Sequence, residues 1–534
     1  MKKKILLVYP SFLPTYWGFQ YVTPLLGRKT NMPPLGLITI AALTPEDYSF
    51  QLVDLNCENL YDEVIEWADI VCFSAMLPQK RSLFATASRC RAAGKLVVFG
   101  GPYPTACPEE CAPHADVLVL NEGEITWPEF IRDLENGDYQ PRYTTTEKPD
   151  VSKTPVPRFD LLKIHDYLCV PLQFSRGCPY LCEFCDIIVM FGRKPRTKTA
   201  EQMLAELDAV YETGYRGQIF IVDDNFIGNK KEVKKFLLAL AKWNVRRDYP
   251  FYFGTEASVN LADEPELLKL MVNAHFIWVF LGIETPVPES LKETSKVQNL
   301  KGSLTSKVET INRAGLQVFG GFIIGFDQDP EDIFDRQIEF INDTAIGNAM
   351  IGPVVALPGT PLFERMKRTG RLIEEAVGDS EREIASGYTN IVTKIPARQL
   401  QKGQRHILET LYTPEAYFDR QIKALARLPH PTKLWDRIRR AHWLLFHFRV
   451  KWDGADWGMM FKAWSQIPGR YYWASIKFAW KLLRTCPDQL PWLPLTLFMG
   501  YHYYRFTSDR AVPGLTALIE RSENMGEEPL QVTA

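Results

Sequence analysis

Three cysteines, Cys178, Cys182 and Cys185, stand within one short stretch, Ser175-Arg176-Gly177-Cys178-Pro179-Tyr180-Leu181-Cys182-Glu183-Phe184-Cys185-Asp186. The spacing is C-x3-C-x2-C. Clustered thiolates of this kind form a soft-metal site, suited to iron–sulfur or zinc. A closed structural zinc site takes four ligands, and no fourth Cys or His lies close by on either side. A four-iron cluster held by three thiolates leaves one iron open for a substrate or cosubstrate. The remaining cysteines are scattered. Cys107 and Cys111 repeat the C-x3-C spacing without a third ligand and read as incidental thiols.

A second set of chemical residues falls at the ends of apolar runs downstream of the cysteines. Gln218–Val222 leads into Asp223-Asp224-Asn225, Phe251–Ala257 ends near Glu256 and Ser258, and Trp278–Thr285 carries Glu284. Val170–Ser175, Gln317–Ile324 and Gly352–Leu357 read as three further strands. Helical spacers lie between them, such as Lys198–Tyr211 with Thr199 as its cap and Thr305–Ala314 closed by Gly315. Six strand–helix units with polar strand ends predict a partial parallel (βα)6 barrel with its site on the C-terminal face. The basic run Arg193–Lys198 reads as a solvated loop.

The chain before the cysteines repeats the pattern with different punctuation. Ile5–Tyr9, Phe50–Leu55, Ile70–Ala75, Lys95–Gly100 and Val117–Leu120 are continuous apolar runs, which in this setting are buried parallel strands of a doubly wound sheet. Ligands of such sheets sit beyond the strands' carboxyl ends. The turn residues gather there: Ser74, then Gly100-Gly101-Pro102 with Thr105, then Glu122-Gly123. Pro149, Pro155 and Pro157 mark a linker. The expected division is 1–143, linker 144–167, barrel 168–365 and a helical C-terminal region 366–534.

The chain has 534 residues, 46% hydrophobic and 24% charged, with net charge −2, which gives no electrostatic case for nucleic acid. Ten cysteines, with a metal-type trio among them, fit a reducing cytoplasm rather than a disulfide scaffold. Met1–Pro10 reads as a first strand rather than a signal peptide. No apolar run is long enough to span a membrane. The C-terminal region interleaves Trp and Tyr with Lys and Arg on helical patterns at Arg398–Tyr412, Pro414–Leu428 and Thr432–Phe448. Two readings apply to these aromatics: a cap packed on the barrel, favoured, and peripheral membrane contact.

The cysteine spacing, with Phe184 just before the third cysteine, closely resembles that of the radical S-adenosylmethionine (SAM) enzymes. The preceding sheet resembles the cobalamin-binding domain found in B12-dependent members, and Met32-Pro33-Pro34-Leu35-Gly36-Leu37 is similar to a segment those proteins carry. The stretches Cys182–Thr199 and Val222–Lys230 look like the branch that includes hopanoid C-2 methylases. The resemblance implies a 4Fe-4S cluster on Cys178, Cys182 and Cys185, with SAM chelated at the open iron and cleaved to a 5′-deoxyadenosyl radical. It implies SAM contacts at Phe184, Asp223, Asp224, Glu256, Ser258, Glu284, Gly320 and Gly321. For cobalamin it implies Ser74, Gly100, Gly101, Pro102, Thr105, Glu122 and Gly123. Two departures stand out. Asp223-Asp224-Asn225 replaces a common Gly-Gly-Glu. The Asp54-Leu55-Asn56-Cys57-Glu58 turn lacks the His that ligates cobalt in many cobalamin domains, so cobalamin would bind base-off without a protein His.

The implied activity is methylation of an unactivated carbon of an apolar small molecule, a hopanoid lipid among the candidates. A reductant such as flavodoxin or ferredoxin would supply electrons. Cyclisation or another rearrangement with the same cofactors, and a non-catalytic iron–sulfur role, are the competing readings. No general base is legible.

Overall fold

A computed structural model describes residues 3–373, 387–429, 462–467 and 469–524. The expected helix at Thr432–Phe448 lies outside them, as do Trp443, Trp452, Trp457 and most of the C-terminal tail.

Two all-parallel six-stranded sheets dominate. The first has the order β2-β1-β3-β4-β5-β6. Its strands are β1 (Lys4–Tyr9), β2 (Ser49–Asp54), β3 (Ile70–Ser74), β4 (Leu96–Gly100), β5 (Val117–Val119) and β6 (Arg142–Tyr143). Ile5, Leu6, Leu7 and Val8 are all buried, so β1 is covered on both faces and needs the continuous apolar run its sequence provides. The order reverses beside β1, which puts the ligand crevice of a doubly wound sheet at the ends of β1 and β3. Strand β6 is too short to leave a periodic signal. It is not among the expected strands, and it closes the first domain just before the linker expected from 144.

The second sheet is a half-barrel of order β14-β13-β12-β11-β10-β7. It comprises β7 (Cys169–Leu172), β10 (Gly217–Ile221), β11 (Phe251–Ala257), β12 (Phe276–Glu284), β13 (Gln317–Ile324) and β14 (Asn348–Pro353). Alternation assigns the two faces. Val279, Leu281 and Ile283 are fully buried under the helices, so Trp278, Phe280, Gly282 and Glu284 line the other, inner face. Trp278 stacks on Phe319 at 4.9 Å and on Phe220 at 5.3 Å. This aromatic layer lies toward the strand starts, below the polar ends.

Two expected strands shift. The first barrel strand stops at Leu172, and Ser175-Arg176 (β8) instead pairs antiparallel with Arg196-Thr197 (β9) to make a small hairpin around the cysteine loop. The last strand begins at Asn348 rather than Gly352, because Phe319 to Ile324 of β13 pair with Asn348 to Pro353 in turn.

The open side of the half-barrel is crossed by residues of the first domain. Leu168 and Cys169 N–H groups donate to Thr30 and Asn31 carbonyls at 3.0 and 2.9 Å. That fixes one end of a strap at the start of β7. Tyr16 Oη donates to the Ala349 carbonyl at 2.9 Å on β14. Asn31 Nδ2 donates to the Trp17 carbonyl at 2.9 Å and closes the strap on itself. Phe19, Val22 and Leu26 join the barrel core.

The described C-terminal helices Ala397–Leu411, Pro414–Arg427, Gly469–Thr485, Leu493–Phe506 and Val512–Asn524 also pack on that core through Ile407, Phe418, Tyr471, Tyr503 and Leu515. No helix among the described residues is long and apolar enough to cross a membrane.

Candidate active site

The cysteine loop is held from two directions. Gly177 opens it at φ +94°. A Cβ there would lie 2.8 Å from the Gly192 carbonyl oxygen, so only glycine admits this turn. Cys178 N–H donates to that carbonyl at 3.2 Å. On the far side Glu183, between the second and third cysteines, accepts a bidentate pair from Arg365 at 2.6 and 2.9 Å. Arg365 also reaches Asp327 at 3.0 Å and Glu293 at 3.1 Å. These fork contacts clamp the loop between the helix Pro361–Arg368, the short helix Pro288–Glu293 and the turn after β13.

The thiols lie near one another, and Cys182 adds to the raised pKa of each of the other two. Burial pushes Cys185 up to about 12, with Asp186 and Cys182 adding to it. Burial likewise raises Cys178, with Cys182 contributing. Among the described residues no three metal-ligating side chains converge as a single-ion site. Two amide donors face the sulfurs: Asn225 Nδ2 lies 3.8 Å from Cys178 Sγ and Gln298 Nε2 lies 3.5 Å from Cys182 Sγ. Donors of this kind stabilise thiolate-bound metal. A cation completes the surroundings. Burial disfavours the Lys296 ammonium, but Glu284 and Cys182 outweigh it and its pKa is raised. The same ammonium lies 5.7 Å from the Phe184 ring centroid.

The acids at the strand ends come together as the sequence suggests, yet they differ in what they do. Asp223 accepts from Phe174 N–H at 2.7 Å and from Ser175 Oγ at 2.6 Å. It ties the end of β10 to the segment entering the cysteine loop. Asp224 has an inner oxygen, Oδ2, that is buried without a hydrogen-bond partner. Burial raises Asp223 to about 6. Burial, with Asp223 next to it, raises Asp224 to about 7. Burial and the charges of Asp224, Asp223 and Glu284 raise Glu256 to about 8. Ser258 Oγ and N–H both donate to Asn225 Oδ1 at 3.2 Å, so Ser258 acts on Cys178 through Asn225. Glu284 adopts φ +65°, strained for a side chain of its size. Gly282 makes room for it: a Cβ there would sit 2.3 Å from Glu284 Oε1.

Gly320 and Gly321 lie in the middle of β13, where a Cβ would meet Phe322 and Phe280 at 2.8 Å. Packing explains them. The strand end brings up Ile323 instead, half-buried beside Phe184 and Phe326. Lys296, Gln298 and Asn225 escaped the sequence reading as site residues. Of these only Asn225, at a strand end beside two acids, carried a local signal.

In the first sheet, Ser74, Gly100, Gly101, Pro102 and Thr105 lie along one carboxyl edge. Gly101 has φ +93°, and a Cβ there would lie 2.6 Å from Ser74 Oγ, so the β3 and β4 ends meet closely. Thr105 Oγ1 accepts from Asn121 N–H at 2.9 Å. Gly123 admits Ile40, whose Cδ1 would lie 2.4 Å from its Cβ. Glu122 is committed to arginines of the cysteine hairpin, at 2.8 Å from both Arg176 and Arg196. The solvated-loop reading of Arg193–Lys198 therefore fails at two positions: Arg196 is engaged with Glu122, and Lys198 is buried with Glu206. The turn after β2 is closed by its own bonds, Asp54 accepting from Asn56 N–H at 2.9 Å and from Tyr167 Oη at 3.1 Å.

Comparisons with known proteins agree with this architecture. The B12 binding domain matches residues 25–131, the radical SAM superfamily residues 172–341, and a domain of unknown function (DUF4070) residues 360–512. An uncharacterized methyltransferase of Synechocystis sp. is 45% identical over 80% of each chain. The hopanoid C-2 methylase of Rhodopseudomonas palustris is 35% identical, covering 80% of this chain and 81% of its own. This chain belongs to the B12-binding radical SAM methyltransferases. Among solved structures, the cobalamin-dependent radical SAM enzyme OxsB shares the fold at TM-score 0.58 and 16% identity, over 98% of this chain and 81% of its own. The methyltransferase TsrM from Kitasatospora setae does so at 0.57 and 15%, over 69% and 76%.

The family's cofactors are a 4Fe-4S cluster, SAM and cobalamin. The residues present fit them. Three thiols with amide donors and a buried ammonium suit an anionic cluster. A partnerless buried carboxylate oxygen on Asp224 suits the cationic amino and sulfonium groups of SAM. Exposed Leu13 and Met76 in the turns after β1 and β3, with no His in the turn after β2, suit the apolar face of a corrin bound base-off.

Proposed function

We propose that this enzyme methylates an unactivated carbon of an apolar polycyclic lipid, with a hopanoid at C-2 as the first candidate. The observation that carries the reading is the similarity to the hopanoid C-2 methylase over four-fifths of both chains. Exposed apolar side chains support an apolar substrate: Leu13 and Met76 on the first sheet's edge, Leu181 and Val189 on the cysteine loop.

In this reading Cys178, Cys182 and Cys185 hold the cluster, and Asn225 and Gln298 donate to its thiolates. Asp224 and Glu256 receive the cationic end of SAM, and Phe184 and Ile323 wall the site. Glu284 anchors Lys296, which balances negative charge at the cluster. Ser74, Gly100, Gly101, Pro102 and Thr105 form the cobalamin edge. The bound groups supply one-electron cleavage of SAM and methyl transfer through cobalt. The chain's own task is to hold three reactants in register and exclude water. An external reductant must deliver the electron.

Peripheral membrane contact belongs to the same reading. Helix Gly469–Thr485 exposes Trp473 and Trp480 with Lys477 and Arg484 on one stripe. Co-sedimentation with anionic vesicles, lost in Trp473→Ala/Trp480→Ala, is the expected result.

Anaerobic incubation with SAM, reductant, cobalamin and a hopanoid-containing lipid extract tests the main reading. A product heavier by one methyl should appear with both 5′-deoxyadenosine and S-adenosylhomocysteine. Deoxyadenosine without S-adenosylhomocysteine would favour cyclisation or rearrangement and sink the methylation reading.

A further inference from the structure

The hairpin that frames the cysteine loop contains an arrangement that cannot be stable alone. Arg176 on β8 stands directly opposite Arg196 on β9. Like charges placed opposite each other across a two-stranded ladder destabilise it. Both side chains are largely shielded from water, with 13% and 14% of their surface exposed. Their compensation comes from the other sheet. Glu122 and Glu124 flank the first residue of helix Gly123–Asn136, just beyond β5. Arg176 donates to Glu122 at 2.8 Å and bidentately to Glu124 at 2.7 and 2.9 Å. Arg196 donates bidentately to Glu122 at 2.8 and 3.0 Å. The remaining valences are used too. Thr154 Oγ1 donates to Glu124 at 3.0 Å, and Arg196 reaches the Pro149 and Phe191 carbonyls at 2.8 and 3.1 Å.

Two buried cations and two buried anions therefore join the carboxyl edge of the first sheet to a residue two positions before Cys178. A buried ion network of this kind contributes little net stability compared with apolar packing, but it fixes geometry, because every partner has a directional place. We propose that Glu122, Glu124, Arg176 and Arg196 are positioning residues that set the cysteine loop at a fixed separation from the cobalamin edge. The inference rests on the two-cofactor methyltransferase reading and adds to it the device that keeps both centres on one substrate carbon. A misplacement of about 1 Å in such a site costs on the order of 10²-fold in rate. Loosening the network should therefore uncouple the two half-reactions rather than abolish the first.

The test uses the full chain with Glu124→Gln, which keeps the side chain's shape, and Arg196→Lys, which keeps the charge and loses the fork. In the purified protein, hydrogen–deuterium exchange should rise about tenfold in peptides covering 121–126 and 187–197, with β10 to β13 unchanged. In protein loaded with cluster and cob(II)alamin, the variants should hold wild-type iron and cobalamin. The reduced cluster should speed the relaxation of the cob(II)alamin electron-paramagnetic signal less uniformly than in wild type. With lipid extract, deoxyadenosine should persist while methylated product falls, so that their ratio rises about tenfold or more. Wild-type exchange and relaxation in both variants would overturn the proposal, as would equal loss of deoxyadenosine and product. A wild-type enzyme that makes deoxyadenosine and no S-adenosylhomocysteine would instead overturn the methylation reading beneath it.

Discussion

Lys296 Nζ lies 2.6 Å from Glu284 Oε1, both side chains about nine-tenths buried beneath the cysteine loop. The two residues come from different places. Glu284 ends β12 in a left-handed conformation, and Lys296 follows the short helix Pro288–Glu293. The pair joins the acid group at the strand ends to the thiols, since Lys296 senses Cys182 and Cys185 as well as Glu284. It places one positive charge where three thiolates would otherwise crowd negative charge.

Removing one partner alone should be costly. Lys296→Met leaves the Glu284 carboxylate buried and unpaired at a strained backbone position. The loss expected for breaking a buried pair is about 3–5 kcal/mol. Denaturant unfolding of the cluster-free protein measures it. The double variant Lys296→Met/Glu284→Gln should recover at least half of that loss, and equal destabilisation in single and double variants would show that the pair is not what matters.

The acid group makes an opposite prediction about pH. Glu256 and Asp224 hold protons in the folded chain up to about 8 and about 7, because burial and mutual repulsion disfavour their charged forms. The unfolded chain releases those protons near pH 4. Between these limits the folded state binds more protons than the unfolded state. Stability should therefore be greatest at the acidic end and fall as pH rises through the window, by roughly 1.4 kcal/mol per pH unit for each such proton. Thermal melts of cluster-free protein from pH 5 to 8.5 should show that decline, and Glu256→Gln should flatten it. A cationic ligand reverses the preference, so binding of SAM should release protons. Its affinity should rise with pH over the same range, as read by calorimetry in two buffers of different ionisation enthalpy.

Gln298 offers a narrower test. Its Nε2 donates toward Cys182 Sγ while its Oε1 is buried without a partner. Hydrogen bonds to cluster sulfur favour the more negative, reduced state. Gln298→Leu should keep the iron content and lower the cluster's reduction potential, measured by spectroelectrochemical titration. An unchanged potential would make Gln298 a packing residue.

The residues above divide sharply in how visible they were beforehand. Cys178 was legible from the cysteine spacing, and Asp224, Glu256 and Glu284 because a parallel strand announces its end: an apolar run stops and a polar residue follows. The same rule located the Ser74 and Gly100-Gly101 edge. Arg176 and Arg196 were not legible as a pair, since their pairing depends on a two-strand hairpin too short for periodicity and on acids more than 50 residues away. Gly320 and Gly321 were named by the family resemblance alone; nothing in the run Gln317–Ile324 announces that in mid-strand they make room for Phe322 and Phe280. Tyr16 and Trp17 lie in a stretch without period, so nothing local declared that they cross to β14.

That crossing supports a final prediction. Trp17 Nε1–H points at Met350 Sδ, 2.9 Å away, and its ring meets Phe280 edge-on at 5.5 Å. One face of the indole thus covers the inner wall of the half-barrel between β12 and β14. Its carbonyl is meanwhile held by Asn31 of the strap. A six-stranded sheet that does not close leaves its inner layer open along one side, and Trp17 covers the part of it around Phe280 and Met350. Trp17→Ala should destabilise the protein by about 2–3 kcal/mol, less than the roughly 3–5 of a fully buried Trp because the ring is only half-buried. Because the strap belongs to the first domain, the loss should spread to both sheets. Exchange at Thr30–Asn31 and at β7 should quicken together with exchange at β14. Trp17→Phe should restore most of the stability, since the Phe280 contact is aromatic and the sulfur contact is weak. A loss confined to β14, with β7 and Thr30–Asn31 unaffected, would mean that the strap is two independent contacts rather than one bridge.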